Sequence, residues 1–269
     1  MYFIAGLFFF FLCIVVHELG HAMAMRQNNI PIESIGFGIK LPKIPSLAVW
    51  KSKKYFPGAR IEINHIPLFA YVMPKWQSLE KLEELPYNQA AMVFGAGVLN
   101  NIFFSLIMTM ASALTDDISQ GALDWGFQLI IFCLIALLWI FRRFFCKYLV
   151  PFFGMIMLVL IAYLIYKDPS GSVGGPITIG KIIAEKSINL SSLFQITAII
   201  SLSVAIFNML PISPLDGGRI ISARLNAIST KLSDYYDIAG YVLTAGLVAL
   251  AISNDFIFVL KKIIGLIKF

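Results

Sequence analysis

The sequence predicts an α-helical polytopic membrane protein with about six transmembrane helices and a membrane-reentrant β-hairpin between the first two. The mean hydropathy is +0.82. Hydrophobic residues make up 59% of the chain and charged residues only 13%, whereas a soluble domain has about 25% charged residues. Several apolar runs have the length of a membrane helix, roughly 17 residues or more. A segment of alternating polarity with Pro and Gly breakers follows the first of these runs.

The first span is predicted for residues 2–25. Its apolar run resembles that of a secretory signal peptide, and Ala22-Met23-Ala24 has the form of a cleavage site. A signal peptide also requires a basic segment before the apolar run, and only two uncharged side chains precede it here. We therefore expect this run to be retained as a transmembrane helix that ends near Arg26.

Residues 33–73 are predicted to form the reentrant hairpin. Short alternating stretches lie between breakers such as Pro42 and Pro45. A β-ribbon has unpaired edges, so it enters a membrane only where protein or a water-filled cavity covers it. A plain surface hairpin on the cytoplasmic face is the alternative, and the sequence leaves both open.

The remaining chain alternates apolar spans with short connections, and we expect one membrane-embedded domain over residues 1–269. The further spans are predicted at about 88–114, 127–141, 148–166, 192–210 and 236–252. The connections comprise a solvated amphipathic segment at 75–88, a turn at 142–147, a Gly/Pro-rich loop at 168–182 and a broken segment at 208–219. An interfacial helix is expected at 256–269. Within the second span, Asn100 or Asn101 should face the bundle, because an amide is costly in lipid.

The distribution of charge predicts the orientation. Loops on the Arg26 side carry nine, three and three Lys or Arg residues (26–87, 142–147 and 217–235), and the opposite loops carry none and three (115–125 and 167–189). The positive-inside rule therefore places the Arg26 side in the cytoplasm of a cell (inner) membrane protein, although three C-terminal lysines oppose it. The net charge of +6 then reflects anionic lipid, and no nucleic-acid partner is expected. The three cysteines form no CxxC motif and are interpreted as small apolar residues.

The first span contains the motif His17-Glu18-Leu19-Gly20-His21. On a helix, the two histidines share one face because they are four residues apart. Two imidazoles at this spacing can bind one Zn²⁺, and the glutamate can act as a general base toward water. The alternative is a polar cluster or proton path without metal.

A catalytic zinc site typically has three protein ligands and one open position. Asp216 is the candidate for the third ligand, since it follows the apolar fifth span. Pro211 and Pro214 prevent a regular helix there, and the two following glycines permit a tight backbone path. An unwound segment could therefore direct the carboxylate inward. A simple helix cap is the alternative role for this aspartate.

These motifs resemble those of the site-2 proteases, a family of intramembrane zinc metalloproteases. HELGH matches the HExxH of the family, and Asn208-x-x-Pro211-x-x-Pro214-Leu215-Asp216-Gly217 is similar to its NxxPxxPLDG motif. Weaker similarities occur at Gly95–Asn100 and at Gly175-Pro176-Ile177. The resemblance is to the compact bacterial type without a PDZ or CBS domain.

The resemblance implies zinc ligands His17, His21 and Asp216, catalytic Glu18 and substrate-binding Asn208. A structural polar contact is the alternative for Asn208. The family also implies a hairpin that binds extended substrate by adding a strand. Its substrates are single-span membrane proteins such as anti-sigma factors, membrane-tethered regulators or remnant signal peptides. The other expected partners are the lipid bilayer, an upstream protease and regulatory membrane proteins.

Two alternative functions have their own sequence signatures. A transporter or ion-binding protein would predict inverted repeats, and none is visible. An inactive relative should lack a metal-site residue.

Overall fold

The structure, a computed structural model, describes residues 2–41, 43–75, 85–115, 121–167 and 175–267. It consists of helices and one small sheet. The helices are α1 (Tyr2–Gln27), α2 (Tyr87–Thr115), α3 (Gly121–Ile140), α4 (Arg142–Lys167), α5 (Pro176–Lys186), α6 (Leu190–Met209), α7 (Asp216–Asn226) and α8 (Thr230–Ile267). The strands are β1 (Ile32–Ile39), β2 (Ala48–Lys51), β3 (Arg60–Ile63) and β4 (Ile66–Pro74).

Five helices in the described part of the chain are long and apolar enough to cross a membrane. They are α2, α4, α6 and the stretches Ile4–Gln27 of α1 and Thr230–Ile257 of α8. Helix α3 contributes a shorter apolar stretch, Gln128–Ile140. These six stretches correspond to the six predicted spans. The prediction of a polytopic helical membrane protein is therefore confirmed.

Three predicted connections differ from the structure. The turn predicted at 142–147 is already helical, because α4 begins at Arg142. Of the loop predicted at 168–182, residues 168–174 lie outside the described residues and α5 begins at Pro176, where a proline needs no N–H and its fixed φ suits a helix. The C-terminal segment is not a separate helix, since no proline interrupts α8 before Ile267. The segment predicted at 75–88 lies mostly outside the described residues.

The region predicted as a hairpin is a four-stranded sheet of order β2-β3-β1-β4. Its first and last strands, β1 and β4, pair antiparallel as a hairpin requires, and the long connection between them contributes β2 and β3. The pairing of β1 with β3 is parallel. Sequence alternation has the same period in both kinds of pairing, so it could not predict this register. Entry of the sheet into the membrane stays a prediction.

The packing centre is formed by α1, α2 and α6. Small and polar side chains permit close approach of these helices. Gly20 of α1 lies against the Ala96 carbonyl of α2, and a Cβ at position 20 would collide with this carbonyl. Ser105 of α2 donates a hydrogen bond to the Ala198 carbonyl of α6 at 2.8 Å. Strand β4 packs against α1, and α7 contacts α2 and α8, so the motif-bearing elements converge on one place.

Candidate metal centre

His17 and His21 of α1 meet Asp216, the first residue of α7, and all three are buried. The two Nε2 atoms are 3.1 Å apart. The Asp216 carboxylate lies 3.2 Å from His17 Nε2 through Oδ2 and 3.4 Å from His21 Nε2 through Oδ1. In a tetrahedral zinc site with bonds of about 2.0–2.1 Å, neighbouring ligand atoms are roughly 3.3–3.4 Å apart. The three side chains thus have the spacing of ligands around one metal ion.

The break between α6 and α7 brings Asp216 to this place. Helix α6 ends at Met209, and the chain resumes a helix only at Asp216. The predicted break is therefore present, but it is shorter than predicted, since the aspartate begins a helix instead of lying in an unwound segment. Gly217 and Gly218 lie against the Met209 and Ile212 backbone, where a Cβ would collide. The N-cap residue of α7 is Leu215, and the Asp216 carboxylate faces the histidines.

Each histidine is also fixed through its other ring nitrogen. His21 Nδ1 lies 2.9 Å from the Val93 carbonyl, which can only accept, so Nδ1–H donates and the Nε2 lone pair remains available. His17 Nδ1 lies 3.3 Å from the Asn101 amide. Asn101 Oδ1 has no partner among the described residues. The side-chain amide of Asn101 has the same shape when its nitrogen and oxygen are exchanged. In the exchanged orientation, Oδ1 would accept a hydrogen bond from His17 Nδ1–H, and the lone pair of His17 Nε2 would be available for a metal ion.

The prediction about the asparagines of α2 is met by both residues. Asn100 donates to the Val16 carbonyl at 3.2 Å, and Asn101 is fully buried. Ser201 of α6 donates to the Asn101 carbonyl at 2.9 Å. The contact of Asn101 with His17 was not predicted, because an amide in a span indicates burial without naming its partner.

Glu18 is half-buried at a cavity of about 270 Å³ that contains the metal-ligand cluster. Val72 and Pro74 of β4 form part of the cavity wall. Asn208 lines the cavity as well, and its Nδ2 donates to the Val204 carbonyl at 3.0 Å. The structure therefore brings together all five predicted site residues.

Helix α8 holds the loop that precedes Asp216, and sequence reasoning did not find this contact. The Asp237 carboxylate accepts hydrogen bonds from Ser213 and, at 2.8 Å, from Ser222 of α7. Tyr236 donates to the Pro211 carbonyl at 2.7 Å, and Thr244 donates to the Ser213 carbonyl at 3.0 Å. The sequence signal for this contact was Asp237 at the edge of an apolar span, since ionisable residues in such positions usually have a binding partner or a function.

Comparison with known proteins agrees with this site. The profile of peptidase family M50 matches residues 5–252. Relatives include proteins of Streptococcus pneumoniae strain R6 (33% identity over 98 residues), Clostridium perfringens (34% over 92) and Helicobacter pylori (39% over 92). Each bears the name "Putative zinc metalloprotease".

The stretches aligned with these relatives cover only part of each protein. They amount to 34%, 32% and 34% of this chain and to 23%, 28% and 23% of the respective relatives. The family profile, in contrast, extends over both motif regions and the helices between them. The chain therefore belongs to peptidase family M50, the site-2 protease family.

Proposed function

We propose that this protein is a zinc-dependent intramembrane endopeptidase that cleaves the transmembrane segments of single-span membrane proteins. The observation that carries the proposal is the position of the metal-ligand cluster. Two of its members lie on a helix that is long and apolar enough to span a membrane. Glu18 and residues of strand β4 line the same cavity.

The residues present fit a zinc ion. Two imidazole nitrogens and a carboxylate oxygen are donors that zinc accepts. Asp216 Oδ2 accepts no hydrogen bond within the described part of the chain, and such a buried charged oxygen is costly unless a cation compensates it. His17, His21 and Asp216 would hold the ion. Zinc in this position supplies Lewis-acid activation of water and of the scissile carbonyl.

The surrounding residues have separate roles in this proposal. Glu18 accepts a proton from the attacking water and delivers it to the leaving amine. Asn208 positions the substrate backbone. Strand β4 lies at the end of the sheet order, so one of its edges has no strand partner among the described residues. An extended substrate can pair with that edge. This pairing requires local unwinding of the substrate, since a membrane helix satisfies its own backbone hydrogen bonds.

The charge distribution supports the location that we propose. We place the protein in the cell (inner) membrane with its metal centre toward the cytoplasm. Anti-sigma factors, membrane-tethered regulators and remnant signal peptides are the substrate classes that the family suggests. An upstream protease and regulatory membrane proteins are the further partners.

The test is cleavage of a single-span substrate by purified protein in lipid. Glu18→Gln should abolish cleavage while zinc remains bound in a 1:1 ratio. Glu33→Gln is the matched control, since this glutamate lies on β1 in an ion pair with Arg60 and does not line the cavity. Undiminished cleavage by Glu18→Gln contradicts the proposal. Zinc binding without cleavage by the unaltered protein would favour an ion-binding protein instead.

A further inference from the structure

A second buried carboxylate has no part in the metal centre. Asp255 of α8 is only 4% exposed, and it accepts four hydrogen bonds from the start of α5. The donors are Gly175 N at 3.2 Å, Ile177 N at 2.8 Å, Thr178 N at 3.2 Å and Thr178 Oγ1 at 2.6 Å. The first amides of a helix have no acceptor within the helix. Asp255 therefore caps α5 from a position about 80 residues away in sequence.

This cap accounts for the Gly175-Pro176-Ile177 motif, which the metal centre leaves unexplained. Gly175 occupies the N-cap position and has no side chain that could cap the helix. A Cβ at this position would collide with the Asp255 carboxylate and would lie 3.0 Å from the Ala251 carbonyl. Pro176 starts the helix without an N–H that would need an acceptor. The motif thus has the residue types that accommodate an external carboxylate.

Helix α5 is one wall of a groove of about 820 Å³. Its Ile179 and Ile182 line the groove opposite Phe10 and Ile14 of α1. The third wall is α6, from Ser192 to Asn208, and the sixteen helical steps between these residues span about 24 Å. Asn208 lines both this groove and the cavity of the metal centre. An apolar groove therefore leads along the bundle to the site of cleavage.

We propose that Asp255 is a positioning residue that holds α5 as a wall of this groove, through which the apolar segment of the substrate reaches Asn208. This inference rests on the proposed function. Loss of the carboxylate leaves the first amides of α5 without acceptors in an apolar setting, so the helix end must move to find others. Asp255 is eighteen residues from Asp237 on α8, about 27 Å of helix, so the loop of Asp216 is not affected.

The first experiment measures kcat and KM for a single-span substrate in liposomes, with zinc content determined in parallel. Asp255→Asn should raise KM about tenfold, as expected for loss of charge-assisted hydrogen bonds. Its kcat should stay within about twofold and its zinc content should not change. Gly175→Ala should act in the same direction, because it displaces the carboxylate. Gly180→Ala on the same helix is the matched control, since a Cβ there meets no atom within 4 Å.

A capture experiment tests the groove without turnover. A photoreactive side chain at position 182, in Glu18→Gln protein, should crosslink the single-span substrate. Crosslinking should be several-fold weaker at position 159, an exposed apolar site on α4. Adding Asp255→Asn should weaken crosslinking at position 182. Should that variant not fold, Thr178→Val, which removes one of the four hydrogen bonds, should raise KM about twofold.

The outcomes separate the two proposals. Equal crosslinking at positions 182 and 159 would show that the substrate contacts the groove no more than an exposed apolar surface, and it would overturn the inference. An unchanged KM in folded Asp255→Asn and Gly175→Ala proteins, or a loss confined to kcat, would overturn it as well. If the proposed function is wrong, the unaltered protein itself will bind no zinc or cleave no substrate, before any variant is compared.

Discussion

Asp216 and Asp255 are buried almost equally, at 8% and 4% exposure, yet their surroundings differ. Asp255 accepts four hydrogen bonds from one helix end. Asp216 Oδ2 accepts none within the described residues, and the two oxygens of this carboxylate each face one imidazole nitrogen. A buried charge must be compensated. The compensated carboxylate is therefore an anchor, and the uncompensated one is a candidate ligand, a distinction that burial alone does not reveal.

Helix α8 contacts the loop before Asp216 and also carries Asp255. The first turns of α8 hold the loop before Asp216 through Tyr236, Asp237 and Thr244. A later turn carries Asp255 and holds α5. We infer that α8 positions the metal centre with one end and the groove with the other, so substitutions at the two ends should affect different measurements.

The largest expected effect is the difference in cleavage rate between variants of the two aspartates. Asp216→Ala should lower the rate constant of cleavage by about 10³ or more, because the Lewis acid is lost or misplaced. Asp255→Ala should retain most of the rate at saturating substrate. Single-turnover cleavage of a membrane substrate measures both. Equal losses in the two variants would remove the distinction between ligand and anchor.

A smaller effect is expected from crowding the histidines. A Cβ at Gly97 would lie 2.5 Å from His21 Nε2 and 2.8 Å from His17 Cε1. Gly97→Ala should therefore displace the ligands and lower zinc affinity by about 100-fold. Competition with a chelator measures this affinity. Gly246→Ala on α8, where a Cβ meets nothing within 4 Å, is the control and should leave affinity unchanged.

Asp237, which holds the loop before Asp216, should influence zinc affinity less than Gly97 does. Asp237→Asn weakens the hydrogen bonds to Ser213 and Ser222, so zinc affinity should fall about tenfold. Asp234→Asn is the matched control, because this aspartate is exposed on the same helix. Asp255→Asn should leave zinc affinity unaltered. A tenfold fall in that variant would show that the two ends of α8 do not act separately.

The smallest effect concerns a single hydrogen bond. Thr244→Val keeps the side-chain shape and removes the bond to the Ser213 carbonyl. We expect a loss of about 1 kcal/mol in the free energy of unfolding. Thermal unfolding in detergent measures it, and zinc content should change little. An increase in stability would contradict the contact.

The sequence predicted those parts of the site that depend on local spacing. His17, Glu18 and His21 lie within one helical turn, and the prolines before Asp216 signal the break that directs it. The pairing of Asp255 with the start of α5 could not be predicted, since no local pattern connects residues 80 positions apart. The parallel pairing of β1 and β3 and the contacts of Asp237 are also long-range. A buried polar residue indicates that a partner exists, and only the fold identifies it.

The most direct test of the distinction between the two aspartates is the zinc content of purified protein after dialysis against a weak chelator. The unaltered protein and Asp255→Ala should each retain about one zinc per chain, since all three protein ligands of the buried site are present in both. Asp216→Ala should retain almost none. Retention of zinc by Asp216→Ala, or its loss from folded Asp255→Ala, would contradict the account.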